Sequence, residues 1–215
     1  MITETAFVGD IHGNLPALDG IRRALADRGV AHAVFLGDYI DKGPYSADVL
    51  RQLISLADEG RATLLAGNHE RVLLQALDSG NLAPFLKIGG AATILSYVGR
   101  PVGADVMADF RDALPGNHVE VLRKMPERYE GNGVLAMHAP CGDSDAGFRI
   151  TAHINIGPVP RVTHRSAQLD TGCGEPSGRL TALFWPSREY VQVDNDGVIV
   201  SRGSVAELIE HPLGL

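Results

Sequence analysis

Short apolar runs alternate with stretches in which apolar residues recur at helical spacing, and through the first half of the chain this alternation predicts an α/β arrangement. Thr5 to Val8 reads as a first strand that stops at Gly9-Asp10-Ile11-His12-Gly13-Asn14. Leu15, Leu18, Ile21 and Leu25 then mark one face of a helix, with Pro16 tolerated in its first turn. Ala33 to Leu36 repeats the strand and ends at Gly37-Asp38-Tyr39-Ile40-Asp41-Lys42-Gly43-Pro44, ahead of a helix carrying Val49, Leu50, Leu53, Ile54 and Ala57. Thr63 to Leu65 repeats it once more, ending at Gly67-Asn68-His69-Glu70 before a helix with Val72, Leu73, Leu74 and Leu77.

Beyond these units, Ser79 to Arg128 reads as helix and loop, broken at Pro84, Gly89-Gly90, Gly99, Pro101, Pro115-Gly116 and Pro126. The apolar run Val134 to Met137 then delivers His138-Ala139-Pro140. The remainder predicts strands at Arg149 to Ile154, Ala167 to Leu169, Arg179 to Trp185, Tyr190 to Val193 and Val198 to Ser201, closed by a short helix from about Ser204. No linker divides the chain, so residues 1–215 are expected to form one domain.

Composition narrows the class. With 45% hydrophobic and 21% charged residues among 215, the chain is neither disordered, collagen-like nor a coiled coil. Nineteen basic against twenty-six acidic residues give a formal charge of −7, and no run of Lys or Arg could follow a nucleic-acid backbone, which argues against nucleic acid as a bulk partner. Two cysteines, Cys141 and Cys173, are too few for a disulfide framework and are read as free thiols suited to a reducing compartment. Without a signal-type start or a bilayer-length apolar stretch, the expected location is cytoplasmic, with no membrane partner.

The candidate chemistry lies in the loops that follow the strands. In open α/β sheets such loops meet beyond the strand ends although they are distant in sequence. They carry Asp10, His12, Asp38, Asp41, Asn68, His69 and His138, with His153 inside the later β run. Carboxylates, imidazoles and an amide, without a thiolate, suit a divalent ion such as Mn, Fe, Zn or Ni better than a structural zinc site. Gly9, Gly13, Gly37, Gly43 and Gly67 beside them fit tight turns that need positive φ or close backbone approach.

The ordered set Gly9-Asp10-Ile11-His12-Gly13, Gly37-Asp38-Tyr39-Ile40-Asp41-Lys42-Gly43 and Gly67-Asn68-His69-Glu70 resembles the signature of the phosphoprotein phosphatase branch of calcineurin-like metallophosphoesterases. Further matches, which resemble the small bacterial members, are Gly89-Gly90 with Thr93, Ser96 and Tyr97, Pro115 with His118, His138-Ala139, Ala152-His153, and Asp170-Thr171-Gly172-Cys173 before Leu180-Thr181-Ala182-Leu183. The resemblance covers about Phe7 to Trp185 and implies a β-sandwich flanked by helices, an α/β (α+β) fold. It also implies two divalent ions, manganese first with iron, zinc or nickel as alternatives. Asp10 and His12 would hold one ion, Asp38 would bridge, and Asn68, His138 and His153 would hold the other. Such a pair supplies hydroxide near neutrality and clamps phosphate oxygens. By the same resemblance His69 is the general acid, Asp41 orients it, and Asn68 and Lys42 contact the phosphate.

The expected reaction is hydrolysis of phosphate monoesters, on phosphoprotein of the serine/threonine type or on small phosphoesters. The alternative within the same chemistry is a dinucleoside polyphosphate hydrolase, and the alternative of another class is a non-catalytic phosphate-binding module. Two departures stand out. Lys42 replaces the family's usual Arg and gives a point charge without a planar fork. Only fourteen residues separate His138 from His153, where the family has a longer segment with another phosphate-gripping Arg; Arg149 lies in this interval without matching that position. His164 is the rival of His153 as last ligand, while His32, His118 and His211 read as surface or scaffold and Cys141 as a bystander. The oligomeric state is left open.

Overall fold

The computed structural model describes residues 4–99, 101–140 and 147–206. The chain runs through β1 (Thr5–Val8), α1 (Leu15–Arg28), β2 (His32–Phe35), α2 (Ser46–Asp58), β3 (Ala62–Leu64) and α3 (Asn68–Ser79). Four helices follow: α4 (Ala83–Lys87), α5 (Gly90–Val98), α6 (Val106–Ala113) and α7 (Gly116–Lys124). The second half is β4 (Arg128–Gly131), β5 (Val134–Met137), β6 (Phe148–Thr151), β7 (Arg161–Val162), β8 (Ser166–Gln168), β9 (Asp170–Thr171), β10 (Arg179–Trp185), β11 (Glu189–Asp194) and β12 (Ile199–Ser204).

These strands form two sheets. The larger has the order β12-β11-β10-β1-β2-β3, with β9 beside β10; the smaller is β4-β5-β6-β8-β7. β1 sits at the centre, parallel to β2 and antiparallel to β10. All four of its residues are buried, as a strand covered on both faces requires. Its alternation divides the core: Ala6 and Val8 face the helices, with Ile21, Leu50 and Phe110 among their cluster, while Phe7 packs with Val134, Ile150 and Leu169 between the sheets. Each large side chain fully buried this way contributes roughly 1.5–3 kcal/mol. The result is the α/β sandwich expected from the sequence, with helices on the outer face of the larger sheet.

Local signals explain the first unit. The Asn14 side chain accepts the Ala17 N–H at 3.0 Å, Pro16 occupies the first turn, and Gly29 closes α1 in the left-handed conformation.

Several expected boundaries shift. Asn68-His69-Glu70 form the first turn of α3 rather than a loop ahead of it, because the Glu70 carboxylate reaches back to the Gly67 N–H (3.1 Å) and starts the helix early. The run from Arg149 stops as a strand at Thr151, and His153 lies in the turn beyond at φ 71°. β4, β7 and β9 were not expected; two are only two residues long, too short for an alternation to register. β12 continues to Ser204, and most of the expected closing helix, with His211, lies outside the described residues, as does Cys141. No described helix is long and apolar enough to cross a membrane.

Candidate metal centre

The loops after β1, β2, β5 and β6 and the first turn of α3 converge at one edge of the sandwich. Their backbone is unusual: His12 (φ 49°), Asp38 (53°), Asp41 (72°), Lys42 (58°) and His153 (71°) all adopt left-handed conformations. Such residues cost about 1 kcal/mol or more each, and they persist where surrounding bonds over-determine them. Here the Ile11 and His12 N–H groups both donate to the Asp38 carbonyl (3.0 and 2.9 Å), and the Gly43 N–H donates to that of His12 (2.9 Å). Of the five glycines expected in these turns, Gly13 and Gly37 have positive φ, whereas Gly9, Gly43 and Gly67 are needed for close approach.

Gly67 shows that need most clearly. A Cβ there would lie 2.3 Å from both the backbone nitrogen and Oδ1 of Asp38, and 2.5 Å from Glu70 Oε2. Since one of those atoms is backbone and both carboxylates are held by backbone N–H bonds, Gly67→Ala is expected to displace Asp38 and cost about 1–3 kcal/mol. That is a fall of roughly 3–10 °C in thermal midpoint for a domain of this size, measurable by calorimetry.

Asp38 stands between two groups of potential ligands. Its Oδ2 lies 4.0 Å from His12 Nε2 and 3.7 Å from His69 Nε2, while its Oδ1 lies 3.3 Å from His138 Nε2. On the first side, Asp10 Oδ2 is 3.8 Å from His12 Nε2. On the second, Asn68 Oδ1 is 2.9 Å from His138 Nε2 and 2.8 Å from His153 Nδ1, and those two nitrogens are 3.2 Å apart. Outer bonds fix two of the rings, for His12 Nδ1 donates to the Ile40 carbonyl (3.1 Å) and His138 Nδ1 to that of Leu36 (2.9 Å). Each therefore turns the lone pair of Nε2 inward.

On the second side, four acceptors thus converge without a proton that would satisfy them all. On the first, Asp10 Oδ2 is buried with no hydrogen-bond partner among the described residues. Buried acceptors left facing one another are costly, and a cation among them removes that cost, so this donor set fits divalent ions. His12, Asp38 and His69 form one group that could hold an ion, and Asp38, His138 and His153 another. His153 is exposed; His12, Asp38, His69 and His138 are buried. His164 is exposed between β7 and β8, outside both groups.

Burial, reinforced by the charges of Asp38 and Asp170, drives the Asp10 carboxyl well above the usual carboxylate range. Burial also favours the protonated form of Asp38, but His138, His69 and His12 outweigh it and hold that carboxyl well below its ordinary value. Desolvation pushes the His12 imidazole down to about 4, so it is neutral and able to coordinate. His69 differs: burial lowers it, yet Asp41 and Asp38 raise it above an ordinary imidazole. Glu70, pushed up to about 7 by burial and the Asp38 charge, accepts N–H bonds from Asp38 (2.9 Å) and Tyr39 (2.8 Å).

The match to the family model described as calcineurin-like phosphoesterase spans residues 4–155, which contain Asp10, His12, Asp38, Asn68, His69, His138 and His153. The chain belongs to that family. A calcineurin-like phosphoesterase is a hydrolase of phosphate esters that uses divalent metal ions. Among its relatives, the asymmetrical bis(5'-nucleosyl)-tetraphosphatase PrpE of Halalkalibacterium halodurans is 23% identical over 206 residues, covering 78% of this chain and 80% of that protein. Serine/threonine-protein phosphatase 2 of Escherichia coli is 37% identical over 84 residues, 39% of this chain and 37% of that protein. The cold-active protein-tyrosine phosphatase of a psychrophilic Shewanella species shares the fold with a TM-score of 0.60 at 16% identity, covering 95% of this chain and 81% of that one.

Around this calcineurin-like centre the structure adds residues to which the sequence reading gave no role. His69 Nδ1 lies 2.6 Å from Asp41 Oδ2, and the other Asp41 oxygen accepts the Thr93 hydroxyl at 2.6 Å. The Asp41 N–H donates to Thr93 Oγ1 (2.9 Å) and Ser46 Oγ (3.1 Å), so α2 and α5 together fix the carboxylate behind the imidazole. Ser46 carries no motif of its own, and Thr93 stood out only as a match. Glu70 was legible as the last letter of its motif, but not as the clamp on two backbone amides. Lys42 is exposed, with Nζ 3.2 Å from a Glu175 oxygen. His118 is taken up by the Tyr97 hydroxyl at 2.8 Å.

Proposed function

We propose that this chain, working as one domain, hydrolyses phosphate monoesters at a dinuclear centre in which Asp10, His12 and Asp38 hold one ion and Asp38, Asn68, His138 and His153 the other. The carrying observation is that the two oxygens of Asp38 face different imidazole groups, so that this one carboxylate could serve ions on both sides. Manganese is the first candidate metal and Fe, Zn or Ni are the alternatives, since oxygen and imidazole ligands without thiolate accommodate all of them. When bound, the ion pair neutralises phosphate charge and makes a strong nucleophile available near neutral pH.

The side chains have separate tasks. Asp38 and Asp10 offset the cationic charge and fix its position, while Asn68 turns its oxygen to the second site and offers its amide protons to a phosphate oxygen. His69 carries a proton on Nε2, the nitrogen left free by Asp41, and gives it to the departing alkoxide. Asp41 holds the ring and stabilises its charged form. Lys42, balanced by Glu175, contributes a point charge at the margin.

Adding Mn2+ to chelator-stripped protein is the decisive experiment. Turnover of nitrophenyl phosphate is expected to rise from background, and a protein that binds phosphate without turnover under every metal would be a binding module instead. Loading has a second readout. At about a hundred times its dissociation constant an ion adds roughly 2.7 kcal/mol per site, or about 5–10 °C in thermal midpoint.

The reading of the substrate as a phosphoprotein or small phosphoester is supported by the likeness to both phosphatase and tetraphosphatase relatives. A panel of phosphoserine, phosphothreonine and phosphotyrosine peptides against dinucleoside polyphosphates discriminates between them.

A further inference from the structure

A cavity of about 590 Å³ shares Asn68, His138 and His153 with the proposed centre. It falls within the ~300–1,000 Å³ range of small-molecule sites, more than a lone phosphate requires. Leu135, Met137 and Pro140 give it an apolar wall, and Arg71, Glu127 and Arg128 its charged rim.

The topology brings both guanidinium groups there. Arg71 follows Asn68 by three positions in α3, so the two share a helical face with Cβ atoms ~5–6 Å apart. Arg128 lies directly across the β4–β5 ladder from Met137, the neighbour of His138. Each arginine is thus one structural step from a residue assigned to the second ion, and the two enter from different elements.

In the free protein carboxylates hold both. Arg71 pairs with Glu127, and Arg128 Nε lies 3.0 Å from Glu130 Oε1. All four side chains are largely exposed, between 48% and 71%, and such pairs contribute little to stability. An anion offering a better match to the planar forks can therefore replace them. Arg149, the residue in the short interval between His138 and His153, is instead built into β6 between Leu135 and Ser166 and is not among the described lining of the cavity.

We propose that this groove is a leaving-group subsite that selects phosphoesters whose leaving group carries a second anionic group, a phosphate or a carboxylate, read by Arg71 and Arg128. The atoms linking the two anions lie against Leu135, Met137 and Pro140. The inference rests on the assignment of the neighbouring centre to phosphate ester hydrolysis.

The test compares propanediol monophosphate with the matching bisphosphate and with a phosphorylated hydroxy acid of similar length, all with Mn2+-loaded protein. The bisphosphate is expected to have a kcat/KM about tenfold or more above the monophosphate, carried mostly by KM and shrinking as salt rises. The hydroxy-acid ester separates phosphate from carboxylate as the preferred second group. In the R71Q/R128Q double variant the ratio should fall toward one, whereas E127Q, which removes the competing carboxylate, should raise it. Equal kcat/KM for all three esters in the unaltered protein, or a preference that survives R71Q/R128Q, overturns the subsite. Nitrophenyl phosphate is run alongside: if it turns over while no preference exists, only the groove assignment fails, and if nothing turns over the assignment of the centre fails with it.

Discussion

Asp38→Asn is expected to lower kcat/KM by roughly a thousandfold or more with every phosphoester, because the ions' charge stabilisation of the transition state is worth several kcal/mol. Asparagine keeps the shape, but it presents one oxygen and one NH2 where the aspartate has two oxygens. Whichever way the amide turns, either the His12 and His69 side or the His138 side meets N–H donors instead of an acceptor. Metal content measured on the purified variant should fall below that of the parent. The fold itself should survive: the amide oxygen can still accept the backbone N–H of His69, which donates to Oδ1 at 3.1 Å. The substitution also removes a charge that pushes up the Asp10, Glu70 and Asp170 carboxyls. Activity within tenfold of the parent would remove Asp38 from the bridging position.

Periodicity and punctuation made the scaffold of this centre readable in the sequence. β1, β2 and β3 are short apolar runs ended by glycine, and the helices that follow repeat their apolar residues at helical spacing, so the crossover units and the loops between them are local properties. Most of the donor set was readable because its members follow strand ends in one order that resembles the family signature, although each Asp or Asn taken singly is equally at home in an ordinary turn. What could not be read depends on contacts between distant segments. Thr93 holds Asp41 across 52 positions, and nothing around it distinguishes a clamp from an ordinary buried threonine in α5. His153 looked like a strand residue because the apolar run continues through Ile154. Its left-handed turn instead brings its Nδ1 to the Asn68 oxygen and its N–H to Asp10 Oδ1 at 3.4 Å. β4 stayed hidden because Arg128, Tyr129 and Glu130 resemble solvated loop; its pairing with β5 is what moves Arg128 to the mouth of the groove.

His69→Asn should separate substrates by their leaving groups. Alkyl phosphate turnover is expected to fall roughly a hundredfold or more, the scale on which a positioned general acid contributes. Nitrophenyl phosphate should lose much less, because nitrophenolate departs without needing a proton. The geometry makes this division specific. Nδ1 of His69 is committed to Asp41 at 2.6 Å, which leaves Nε2 as the only ring position that can deliver a proton. The imidazole is also one of the groups that could touch the first ion, with Nε2 3.7 Å from Asp38 Oδ2, so a ligand role is the competing explanation. The two roles have different signatures. A lost ligand weakens metal binding and slows all esters together, whereas a lost acid leaves the metal content intact and steepens the dependence of rate on leaving-group basicity. A series of aryl and alkyl phosphates with His69→Asn, read with metal analysis of the same preparations, measures both, and parallel losses across the series would assign His69 to the metal instead of the proton.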